Sequence, residues 1–318
     1  IKDAEELDLC KRAAVLSNKV LKHKFYTDLE EALDKNTKIS HADFANAVES
    51  VLEDPTKINI RVPEGDAESC YNPIVQSGGK YDIRISAQSN DDNLSSDVIL
   101  CSLGAKYKTY CANVARTFMV SAPIKVEQTY KRLMDVFERA LGMMTPGKEL
   151  KDVMKGVKKY LEEKEAALLP YLPKTIGFAI GLEFRDASNI LNEKNEHKFE
   201  VNQVFNLSIG FHNVPLEKGE AGSTKLKTFS VLLADTVKVQ ADGPPDIMTK
   251  FTKEYSEVSW NLDGSDAGSD DDDDDSGSED EAKGIIVDDT GKRRSTRNRA
   301  EKAAANQAAA NRLVRQAE

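Results

Sequence analysis

The sequence predicts an α+β domain followed by a polar tail. Two blocks of apolar residues recur at helical three- and four-residue steps, one near the N-terminus and one over about 124–165. Runs of strand length and β-rich composition fill the stretches between and after them, and from Asp263 the composition changes abruptly. With 318 residues and 40% hydrophobic content, the chain can bury one large core or two smaller ones.

Residues 1 to about 35 read as helix. Asp3 with Glu6 makes a capping box, and Leu7, Cys10, Ala14 and Val20-Leu21 follow at helical spacing. "ISHADFANAVESVLED" is a second helix with Ser40 and Asp43 at its start. "NPIVQSG", "DVILCSLG" and "KYKTYCANVARTFMV" read as strands, and "VILCSLGAKYKTYCANV" as a hairpin turning at Gly104-Ala105. Helices over about 124–142 and 149–165 are split by Thr145-Pro146-Gly147. "TIGFAIGLEF", "QVFNLSIGF" and "LKTFSVLLADTVKV" return to strand, and Gly243-Pro244-Pro245 ends the globular part. The expected organisation is a lobe over 1–245, a connecting segment 246–262, an acidic linker 263–290 and a basic, Ala-rich linker 291–318 leading toward a further domain.

The net charge of -10 is unevenly placed. Between Asp263 and Asp289 stand 13 acids and one lysine, and from Gly291 onward eight bases and two acids. "DGSDAGSDDDDDDSGSEDE" holds no apolar residue larger than Ala. It cannot offset an ordering cost of roughly 1–2 kcal/mol per residue, so disorder is expected. Asp270, Asp271, Asp272, Asp273, Asp274 and Asp275, with Glu279, Asp280 and Glu281, form a polyanion that draws basic partners through a salt-sensitive field. Ser269, Ser276 and Ser278 each precede an acid by three residues, a pattern acidophilic kinases use. "KRRSTRNR", Lys292 to Arg299, suits nuclear import or a weak nucleic-acid contact. It lacks interleaved aromatics, so DNA is expected to bind at most weakly.

Several classes are excluded. No apolar run reaches the roughly 18 residues of a membrane span. The chain opens at Ile1 without a signal peptide and reads as a piece of a longer protein. Cys10, Cys70, Cys101 and Cys111 show no CxxC spacing and are expected to be reduced. The four histidines form no HExxH pair.

The order helix, helix, strands with "YCANVARTF", helices, "GFAIGLEFRD", "NLSIGF" and "LLADTV" resembles the creatinase and methionine-aminopeptidase ("pita-bread") family. The resemblance implies a curved, mostly antiparallel sheet flanked by helices, with a smaller lobe before Ile1. It also implies a two-metal site of two aspartates, one histidine and two glutamates, a set of hard ligands suited to activating water. Carried onto this chain, those positions are Ser102, Asn113, Phe178, Ser208 and Ala234, none of which can hold a dication. The downstream His and Glu of "GHGxGLxxHE" fall on Arg185 and Asp186, while Gly104, Arg116-Thr117, Gly177, Gly181-Leu182 and Asp235-Thr236 keep the family's frame.

With all five ligands replaced, neither metal, cofactor nor catalysis is expected. The segments "QSGGKYD", "GLEFRD" and "NLSIGF" are similar to those of the catalytically silent branch carried by histone chaperones. That resemblance implies a nuclear, chromosome-bound module for core histones and nucleosomes. A smaller HMG-type subunit would join through domains outside this chain. Candidate peptide-binding residues are Asn113, Arg185, Asp186 and Ser208, with Arg185 and Asp186 alternatively pairing with each other. The competing readings are another pseudo-peptidase that binds peptides and an active metallo-aminopeptidase.

Overall fold

The computed structural model describes residues 1–217, 219–220 and 226–260, together with the backbone of Ile286–Val287. The acidic run, its serines and the basic stretch lie outside the described residues.

Helix α1 spans Ala4–Val20 and begins with the expected capping box: the Asp3 carboxylate accepts the Glu6 N–H at 2.9 Å, and Glu6 accepts that of Asp3 at 2.8 Å. It runs through a π-helical turn, Leu21–Tyr26, into α2, Thr27–Asp34. The face carrying Leu16, Val20, Leu21 and Phe25 is buried. Ser40 caps α3, His41–Glu53, by accepting the Asp43 N–H at 3.0 Å.

Strands β1 (Ile60–Arg61), β2 (Ala67–Ser69), β3 (Ile74–Gln76), β4 (Val98–Leu103), β5 (Ala105–Tyr107), β6 (Tyr110–Cys111) and β7 (Val114–Val120) follow. Helices α4 (Ile124–Met143) and α5 (Leu150–Lys164) precede β8 (Gly177–Ala179), β9 (Val204–Pro215), β10 (Thr228–Lys238), β11 (Asp246–Ile247) and β12 (Ser259–Trp260). A further two-residue strand, β13 (Ile286–Val287), pairs with β1. The main sheet runs β3-β4-β7-β10-β9-β8 with antiparallel neighbours, and β2-β5-β6 form a second, small sheet. Helix α4 lies on β9 and β10 with α5 against it, α1 covers β5 and β6, and α3 covers β2 and β3. The α+β architecture, a mostly antiparallel sheet flanked by helices, is therefore the one expected.

Three details depart from the sequence reading. The chain does not turn at Gly104-Ala105: β4 pairs with β7, and the tight turn is Lys108-Thr109, between β5 and β6. Both turn residues hold positive φ, 44° and 76°, as the right-handed twist of a two-residue hairpin requires. Gly104 instead marks where the chain leaves one sheet for the other, and a Cβ there would stand 2.7 Å from the Ala112 carbonyl. Within "TIGFAIGLEF" only Gly177–Ala179 is strand. The segment expected merely to connect after residue 245 is built into the main sheet. There β11 pairs with β10 and β12 runs parallel to β7, with Trp260 packed on Tyr26 and Phe118.

The centre of the main sheet is unusual. Strands β7 and β10 share a single ladder pair, Ala115 with Ala234, and side chains replace the missing rungs. The Thr236 hydroxyl accepts the Asn113 N–H at 2.8 Å and donates to the Asn113 carbonyl at 2.9 Å. Likewise the Thr117 hydroxyl accepts the Leu232 N–H at 2.8 Å and donates to its carbonyl at 2.9 Å. Between them Arg116, fully buried, donates from Nε to the Thr252 carbonyl, from Nη1 to those of Ala115 and Ala234, and from Nη2 to Asp235 and the Phe251 carbonyl. All five guanidinium N–H groups have acceptors. Asp235 also accepts from the Thr249 hydroxyl at 2.8 Å and stands 3.9 Å from the Lys253 ammonium.

Two outcomes test this seam. Asp235→Ala leaves the Arg116 charge buried without its counter-ion and is expected to cost about 3–5 kcal/mol in urea denaturation. Thr236→Val keeps the shape but strands a buried N–H and a carbonyl. It is expected to cost about 1–3 kcal/mol, with Thr236→Ser recovering most of the loss.

Candidate functional site

A cavity of about 240 Å³ opens on one face of the main sheet, beside three of the five positions that the resemblance aligns with metal ligands. Strands β3, β4, β8, β9 and β10 and the loop over 82–86 enclose it. Ser102, Phe178, Ser208 and Arg185 all line it, together with Gln76, Asn206 and Leu232. Gly177 lets β8 press against β9: its φ is 148°, and a Cβ would stand 2.4 Å from the Asn206 carbonyl.

Behind the cavity wall runs a hydrogen-bonded relay. The Tyr71 hydroxyl donates to Asn113 Oδ1 and therefore accepts from Ser102, 2.7 Å away. Asn113 Nδ2 donates to Asn206 Oδ1 at 3.2 Å. Burial pushes the Tyr71 phenol well above its usual range, so it stays a donor. Its ring meets Phe184 edge-on at 5.1 Å, Phe184 meets Phe178 at 5.7 Å, and the Arg185 guanidinium lies over Phe178 at 5.6 Å.

The candidates thus separate. Ser208 and Arg185 face the cavity, and Arg185 is exposed. Asn113 is 1% exposed, does not line the cavity, and touches it only through Asn206. Ala234 is fully buried, in register with Ser208 on the next strand. Asp186 does not pair with Arg185. It accepts from the Ser188 N–H and hydroxyl and from Asn189 Nδ2, ordering its own loop. Burial opposes its ionisation, but these donors outweigh that and hold the carboxyl below its usual range. Tyr71, Gln76 and Asn206 were not among the expected residues. Asn206 had a signal, because it precedes Ser208 by two positions and so shares its strand face. Tyr71 comes from a separate segment, and no local pattern marks it.

The five positions do not fit a pair of metal ions. They offer two hydroxyls, one amide, a phenyl ring and a methyl group, and the amide and one hydroxyl are committed to the relay. Among the described residues no group of three or more His, Cys, Asp and Glu could hold a metal ion. The four cysteines are free thiols; Cys10, Cys101 and Cys111 are buried, and burial pushes Cys101 well above its usual range.

Residues 8–241 match the description of metallopeptidase family M24. The chain belongs to that family. Curated relatives named FACT complex subunit SPT16 are similar to it. The one from Zea mays is 35% identical over 269 residues, covering 84% of this chain and 25% of the relative. The one from Arabidopsis thaliana is 34% identical, covering 82% and 24%. The chain therefore spans about a quarter of the length of these relatives. Among solved structures, the N-terminal domain of FACT complex subunit SPT16 from Cicer arietinum superposes with a TM-score of 0.77 at 36% identity, covering 81% of this chain and 61% of that one. An X-Pro aminopeptidase from Thermotoga maritima, at 19% identity and a TM-score of 0.64, covering 82% and 64%, shares the fold. The chain is thus similar to the SPT16 N-terminal domain over its M24 region.

Tyr71→Phe tests the relay. It strands the Ser102 hydroxyl and Asn113 Oδ1 and is expected to lower stability by about 1–3 kcal/mol, read as a lower urea midpoint at unchanged slope.

Proposed function

We propose that this lobe is a non-enzymatic histone-binding module of a chromatin-remodelling histone chaperone, the large subunit of a FACT-type complex. One observation carries the reading. The cleft of an M24 peptidase is still open, but its ligand positions now hold neutral groups that bond to one another or close the wall. Such a site grips an extended chain and has nothing to activate water with.

The similarity to proteins named FACT complex subunit SPT16 supports a chromatin setting. Core histones and nucleosomes are the partners this reading names, in the nucleus and on chromosomes during transcription, replication and repair. The HMG-type subunit attaches through domains beyond this chain. In this proposal the acidic run from Asp270 to Glu281 adds long-range attraction for basic partners, and the residues after Gly291 lead on to the next domain.

The test uses the 318-residue chain, fluorescent histone-tail peptides and an unrelated basic protein. Tail binding is expected to exceed binding to the control at equal salt and to weaken with Arg185→Ala. No aminopeptidase turnover is expected with added manganese or cobalt. Turnover of a dipeptide, or equal affinity for the control, would sink the proposal.

A further inference from the structure

Asn206 is 1% exposed and lines the cavity, yet its Nδ2 has no hydrogen-bond partner among the described residues. The relay explains why a donor, and not an acceptor, is left over. Each proton in it points the same way: Ser102 to Tyr71, Tyr71 to Asn113, Asn113 to Asn206. In this arrangement Asn206 Oδ1 takes the last of these, so its Nδ2 is the group left for a ligand. A buried N–H without an acceptor is costly, and polarisation along the relay makes it a better donor.

The other polar groups around the cavity have the same sense. The Gln76 carbonyl oxygen is taken by the Asp82 N–H at 2.9 Å, which leaves its NH₂ as a donor. Asp82, the carboxylate in the lining, is bound by Arg84 through Nε and Nη2 at 2.9 Å and 2.6 Å, so that pair is neutral. Arg185 rests on the Phe178 ring and keeps its N–H edges for a ligand. Amide donors, the hydroxyls of Ser86, Thr175 and Ser208, which can each donate, and one uncompensated guanidinium suit an anion with two acceptor oxygens. An ammonium group would meet no open carboxylate.

We propose that the cavity receives a peptide carboxylate, held by Asn206 and Gln76 at its floor and by Arg185 at its rim. The proposal rests on the peptide-groove reading above and supplies the chemistry of the group that anchors there. The carboxylate comes either from the C-terminus of a chain or from an Asp or Glu side chain, which share the two-oxygen geometry. The polarity of the site is then inverted relative to a peptidase cleft that holds cations.

Four probes separate the outcomes, titrated into the ¹⁵N-labelled 318-residue chain while the Asn206 side-chain amide is followed by NMR. They are acetyl-Ala-Ala-Ala with a free C-terminal carboxylate, acetyl-Ala-Glu-Ala-amide, and the same amide with Gln or with Lys in the middle. One or both acidic probes are expected to shift the Asn206 resonance saturably. Their affinity should exceed that of the neutral probe about tenfold, the ratio one charge-assisted bond supplies. Which acidic probe binds identifies the source. Arg185→Gln, at an exposed position that leaves folding intact, is expected to bring the affinity of the acidic probes down to that of the neutral probe. Equal binding of all four probes, or preference for the Lys probe, overturns the carboxylate and leaves the groove reading standing. No saturable shift with any probe overturns both.

Discussion

The structure depends on one guanidinium. Strands β7 and β10 lie side by side at the middle of the main sheet yet share one ladder pair. Arg116 spans that gap and binds backbone from both strands and from the 251–252 segment. A charge this deep is tolerated only when it has a counter-ion and every donor is met, and Asp235 Oδ1 with four carbonyls does this for Arg116, while Asp235 Oδ2 faces the Lys253 ammonium at 3.9 Å. Thr117 and Thr236 act as portable rungs, each returning both a donor and an acceptor to the facing strand. The frame residues that survive in "VARTF" and "ADTV" are thus the ones that join the sheet. Beside them, Ala234 carries only a methyl group and is fully buried, and Asn113 turns its amide to Tyr71 and Asn206.

The relay accounts for how neutral groups stand together beside the cavity without collapse. Carboxylates held near one another need a cation between them; hydroxyls and amides do not, because each can donate to the next. Tyr71 supplies the link that makes Ser102, Asn113 and Asn206 one network. Phe178 and Phe184 fill the volume beside it without closing the mouth. In the proposed reading, attraction and anchoring belong to different regions: a polyanion acting at long range on basic partners, and a donor-lined pocket acting at contact on an acidic group.

Much of the fold was legible in the sequence because the signals were local. The Asp3/Glu6 box, the Ser40 cap and the amphipathic stretches of α4 and α5 depend on spacing within a few turns. The hairpin was misplaced because Lys108 and Thr109 carry none of the Gly or Asn signature of positive φ, whereas Gly104 does look like a turn. Pro244-Pro245 ends one strand, but no rule of propensity says that the chain comes back to the sheet at Ser259. At the site, motif register found Ser102, Phe178, Ser208 and Arg185, since a strand's register fixes which face a residue takes. It could not find Tyr71 or the Asp186 turn, which depend on distant or loop geometry. The uncommitted proton on Asn206 follows from the whole relay and is invisible in any single segment.

The docking of β12 beside β7 also fixes a geometric origin. Ser121 donates its N–H to the Trp260 carbonyl at 2.7 Å, so the end of β12 is held against the sheet. Asp270 follows Trp260 by ten residues, and contour length alone keeps it within about 35 Å of that point. In the proposed reading, that tether gives a basic partner at the lobe a high effective concentration of negative charge.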